Sequence, residues 1–133
     1  MSEQWRQDAL AIRTEIAILK ECDLLDEAGY PTEAALDIVS KWHWSDCAGW
    51  FAFIETIWEY RDWGWRVDRE VTPVEYMIST GGWSGNESII GAMEANVILW
   101  SFTWVQSRRG GHYLFEGREF ESSEGIDYGN ELP

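Results

Sequence analysis

The chain is poor in bases. Only 10 Lys and Arg stand against 24 Asp and Glu, a net charge of −14 over 133 residues. A body this acidic repels phosphate backbones, which excludes direct nucleic-acid binding. Cysteine is scarce as well: Cys22 and Cys47 are the only two and do not form a CxxC pair. That excludes a disulfide framework. Met1–Leu10 is polar and acidic, without the basic and apolar regions of a signal peptide, so both thiols are expected reduced in a cytoplasm. No apolar run approaches the ~20 residues of a membrane span, which argues against a membrane partner. Histidine is limited to His43 and His112. His43 and Cys47 have a metal-like i, i+4 spacing, but no second such pair exists, so no metal site and no cofactor are expected.

What is abundant is tryptophan, ten residues in all. Indole rings bury large areas and dominate cores and contacts. Ten exceed what so small a core needs, so some are expected on the surface or at a subunit contact. An apolar fraction of 45% and one domain's length predict a folded core. The spacing of Trp5, Ala9, Ile12, Ile16 and Leu19 predicts a helix over 3–22, with Ser2 as its cap. Gly29 and Pro31 mark a turn. Thr32 opens a helix over 33–43, and Ser45 or Asp46 caps another over about 47–61. Trp50 and Trp58 of the latter are read as core. Gly64 breaks the helical character. Short strands are predicted at 65–71 and 74–80, then a helix near 86–95. Alternation of Ile98, Trp100, Phe102 and Trp104 predicts a strand over 97–107, turned at 107–111 into a partner strand over 112–120.

The fold class is thus α+β: an N-terminal three-helix half packed with a small antiparallel sheet that includes a C-terminal β-hairpin. Residues 1–120 form a single domain in this reading. Residues 121–133, with four acids and no base, form an acidic, flexible tail.

Two constellations are candidate ligand sites. Gly81, Gly82, Ser84, Gly85 and Asn86 lie between a predicted strand and a predicted helix, where backbone N–H groups suit an anion. Ser84 and Glu87 also have the spacing of a capping box, which needs no ligand. Arg108, Arg109 and His112 form the second, in the one place where two bases adjoin. Arginines on a turn hold phosphate or carboxylate in bidentate fashion, or simply pair with neighbouring acids. A Ser84–His112 triad lacks a nucleophile elbow, so no catalytic residue is assigned. Trp44, Trp63 and Trp83 lie beside breaks and are the candidate partner-binding rings. Glu55, Glu59 and Asp62 read as a solvated face.

The motifs Gly81–Glu87, GGWSGNE, and Arg108–Tyr113, RRGGHY, give residues 79–116 a resemblance to a small uncharacterised bacteriophage- and prophage-encoded protein family. The resemblance implies a phage product made in the cytoplasm of a bacterial host. It carries no activity or site residue. In that setting the charge points to a non-enzymatic inhibitor or interaction protein. Its partner is expected to be a host or phage protein with a basic surface, such as a nucleic-acid-handling defence protein. The partner would meet an acidic, tryptophan-bearing face, and a homo-oligomer is compatible with this. The alternative is a small-molecule or nucleotide-phosphate binding domain, with or without enzyme activity, that uses the two constellations.

Overall fold

The computed structural model describes residues 24–118. The helix predicted over 3–22, Cys22 and the acidic segment 121–133 lie outside these residues. The described chain is an α+β fold: helices α1 (Glu33–Lys41), α2 (Cys47–Ile57), α3 (Arg61–Gly64), α4 (Ser84–Ala95) and α5 (Val97–Thr103), with strands β1 (Trp65–Asp68), β2 (Glu75–Ser79), β3 (Trp104–Arg108) and β4 (His112–Glu116). The strands make one sheet in the order β1-β2-β4-β3, antiparallel throughout.

Local chemistry starts the first two helices where expected. The Thr32 hydroxyl accepts from Ala35 N–H at 3.2 Å and caps α1. Asp46, rather than Ser45, caps α2, its carboxylate accepting from Gly49 N–H at 3.1 Å. Both helices stop earlier than predicted. Trp42 and Trp58 each leave the helical region at the C-cap but stay buried, because their indole N–H groups find carbonyls: Asp46 for Trp42 and Ser79 for Trp58.

Alternation along β1, β2 and β4 sorts the sheet into two faces, while β3 shifts register between Trp104 and Gln106. Trp65, Tyr76, Ile78, Tyr113 and Phe115 point to the helices. Phe51 of α2 stacks on Tyr76 at 4.0 Å, and Trp100 of α5 meets Phe115 edge-on at 5.3 Å. One apolar cluster therefore joins α1, α2, α4, α5 and the sheet. Arg66, Met77, Ser79, His112, Leu114, Gln106 and Arg108 take the other face, which forms a shallow concavity of about 370 Å³.

The strand predicted over 97–107 is corrected. Its first seven residues are helix α5, and only Trp104–Arg108 is strand. Asn96 decides this. Its amide donates to the carbonyls of Val39 and Trp42, both at 3.1 Å, and its Oδ1 accepts from Leu99 N–H at 3.4 Å. A buried side chain pinned to α1 thus caps a helix where propensity favours a strand. Leu99 and Thr103, four apart, are the two buried positions.

Candidate functional site

The glycine-rich stretch folds as a tight turn leading into α4. Gly81 and Gly82 both have positive φ, at 66° and 76°. Only a residue without Cβ fits at Gly81, since a Cβ there would lie 2.9 Å from the Trp63 ring. The capping box is not formed. Trp83 is the N-cap residue and makes no side-chain cap bond, and the Ser84 hydroxyl instead donates to the Tyr30 hydroxyl at 3.3 Å. The Trp83 ring lies against Gly85, leaving no room for a Cβ, and is half-buried against Tyr30 at a centroid distance of 4.7 Å. Asn86 is fully buried and fully occupied. Its Oδ1 accepts from Glu59 N–H, while its Nδ2 donates to the carbonyls of Glu59 and Thr80. Asn86 therefore pins the α2–α3 junction to the glycine turn.

The second turn lies beside the first. Thr80 N–H donates to the Gly111 carbonyl at 3.0 Å, and the Gly111 backbone packs so closely on Thr80 that a Cβ has no space. His112 is exposed and its Nδ1 lies 2.8 Å from Ser79 Oγ, not near Ser84. Arg108 sits opposite His112 across β3 and β4 and, like Arg109, is exposed. Among the described residues neither guanidinium has an ion-pair partner. Ser79, Arg66, Met77 and Leu114 join this open face without having been singled out in the sequence. Only the β2–β4 register, Ser79 opposite His112, brings them together. Tyr113 faces the core side. Burial, with Glu94 and Glu87 acting from further away, raises its phenol above the ordinary value, so the ring stays neutral.

The third feature is the corner where α2 gives way to α3. Tyr60 adopts a left-handed conformation, φ 67°, and turns the chain sharply. Trp63, 53% exposed, stacks on Tyr60 at 5.3 Å and covers Gly81. Glu55, Glu59 and Asp62 line one concavity with Trp58, Tyr60 and Arg61. The Arg61 guanidinium reaches back to the Glu55 carbonyl at 3.4 Å, so it does not neutralise these carboxylates by direct contact. The residues read as a solvated face in the sequence therefore share a concavity with Tyr60, the ring on which Trp63 stacks.

Comparison with family models, with curated proteins and with solved structures finds no match. The geometry stands alone.

Trp44, the remaining candidate ring, is half-buried beside His43 at 5.2 Å. His43 Nδ1 lies 2.8 Å from Ser45 Oγ, and the Cys47 sulfur accepts from Arg118 N–H. Among the described residues no three His, Cys, Asp or Glu side chains gather as a metal site, and no helix is long and apolar enough to cross a membrane.

Proposed function

We propose that this chain is a phage-encoded, non-enzymatic interaction protein that binds a basic host protein at the α2–α3 corner. One observation carries the reading: the exposed Trp63 stacks on Tyr60, and Tyr60 lines a concavity with Glu55, Glu59, Asp62 and Arg61. An exposed aromatic anchor next to a concavity where three acids outnumber one base, Arg61, suits an interface that needs both affinity and steering. Host proteins that handle nucleic acid present the matching basic channels, and the resemblance of the two glycine-rich motifs supports the phage setting. The cytoplasm of the bacterial host is where such a partner would be met.

The test is capture from a low-salt bacterial lysate, followed by native mass measurement. The wild-type chain is expected to carry a stoichiometric protein adduct that falls away as the screening length shrinks to about 3 Å near 1 M salt. Trp63→Ala and the double variant Glu59→Lys/Asp62→Lys should each lose at least tenfold in capture while remaining folded. An adduct retained by both variants would place the interface elsewhere.

A second reading is favoured by the meeting of the two turns through Thr80 and Gly111 beside two arginines that have no ion-pair partner among the described residues. It is a phosphate-binding domain in which Arg108, Arg109 and His112 hold the anion. In that case inorganic phosphate raises the melting temperature, and Arg109→Ala abolishes the rise without unfolding the chain. A rise that survives in the variant removes this turn from the site.

A further inference from the structure

We propose that the outer flank of α5 and β3 is a self-association face, on which a second copy of this chain packs about a two-fold axis. This goes beyond the interaction at the α2–α3 corner and uses a different surface. Val97, Ile98, Trp104 and Val105 are exposed there, at 67%, 48%, 43% and 39%. They follow one another along α5 and β3, which are continuous in the chain, and the Trp100 ring between them stacks on Trp104 at 6.2 Å. Among the described residues β3 is an edge strand, and all five of its residues are exposed. Large apolar side chains gathered along a sheet edge mark a contact surface. The register of β3 shifts between Trp104 and Gln106, which bends the edge away from a flat template. Side chains rather than a continued ladder therefore make the contact.

Charge selects the occupant. The chain holds 24 acids, yet none stands between Glu94 and Glu116. That acid-free stretch builds α5, β3, the hairpin turn and most of β4. The main surface concavities all carry carboxylates: Glu33 and Asp37 beside α4, Glu59 and Asp62 at the corner, and Glu75 on the open sheet face. Two bodies of charge −14 repel each other through any of these and repel least through the strip. A basic partner is drawn to the carboxylates and is disfavoured here by Arg108 and Arg109. A two-fold contact sets the strip against itself, so no second complementary patch is needed. Four partly exposed side chains from each copy bury roughly 800 Å² in total, which belongs to weak, reversible interfaces rather than obligate ones.

The experiment is sedimentation equilibrium on the full chain over concentrations that bracket dissociation constants of about 1 μM to about 1 mM. A monomer–dimer equilibrium is expected. It should strengthen as salt rises, because screening removes net repulsion and leaves the apolar contact. Binding of a basic partner weakens with salt, so the two associations separate by sign. The double variant Val97→Glu/Ile98→Glu should weaken dimerisation at least tenfold. It should remain folded, since both positions are exposed and acids suit the first turn of a helix. Glu33→Gln, on another face, should dimerise at least as well as wild type. A wild-type chain that stays monomeric throughout would overturn the proposal. So would a Val97→Glu/Ile98→Glu chain that dimerises normally. A monomer whose melting temperature drops sharply in that variant would also overturn it, by showing that the chain's own segments cover the strip.

Discussion

Trp50 and Trp65 are both buried and both carry an indole N–H, but only one has a use for it. Trp50 Nε1 donates to the Val39 carbonyl at 2.9 Å, whereas Trp65 Nε1 is the one buried side-chain polar atom among the described residues with no partner. An unsatisfied buried donor costs about 1–3 kcal/mol of desolvation. Phenylalanine removes that cost at position 65 and loses only part of the ring. Trp65→Phe is therefore expected to lie within about 1 kcal/mol of wild type in urea unfolding, while Trp50→Phe loses about 1–3 kcal/mol more, from its hydrogen bond and the void left behind. Equal losses would show that the Trp65 N–H is satisfied in solution. Helical spacing was enough to place Trp50 and Trp58 in the core. It could not tell which indole would find a carbonyl, because those acceptors sit on α1 and β2, far away in sequence.

Helix α5 shows how an element can go against its own residues. Val97–Thr103 is rich in β-branched and aromatic side chains, and its alternation suits a strand. It is helical because Asn96 is held between α1 and α5 by three hydrogen bonds. Asn96→Ala should accordingly cost about 2–4 kcal/mol, combining a lost cap with the loss of the amide's bonds to the Trp42 and Val39 carbonyls, of which Val39 keeps the Trp50 indole as a donor. Asn96→Asp retains the capping oxygen but sets its second oxygen against two buried carbonyls, and should be at least as destabilising as alanine. Denaturant midpoints check this, and an alanine variant as stable as wild type would remove Asn96 from that role. The neighbouring elements were legible. Thr32 and Asp46 start helices through contacts three residues on, and Gly110 and Gly111, both with positive φ, turn the final hairpin. In each case the deciding atoms are close in sequence.

At the scale of the molecule, charge is distributed unevenly. Carboxylates line the helix groove and the α2–α3 corner, while Arg66, Arg108 and Arg109 sit on the open face and turn of the sheet. A uniform acidic shell would bind any basic partner anywhere and would never tolerate a second copy. The proposed capture at the corner and the proposed pairing through α5 and β3 use separate faces, and they are expected to respond to salt in opposite ways, the first weakening and the second strengthening as ionic strength rises.

The sequence by itself determined the α+β class, the caps of α1 and α2, the glycine turns and the burial of Trp50 and Trp58, because these depend on spacing and on neighbours a few residues apart. It also placed the two glycine-rich motifs on turns. Only the tertiary structure decided that those turns touch through Thr80 and Gly111, that His112 meets Ser79, that Trp63 rests on Gly81, and that Glu55, Glu59 and Asp62 share a concavity with Tyr60. Strand register and helix docking set these contacts, and a period-2 or period-3.6 pattern specifies which face a residue takes but not what lies opposite it. The same limit explains α5, where one buried amide bound to a distant helix outweighed seven residues of local preference.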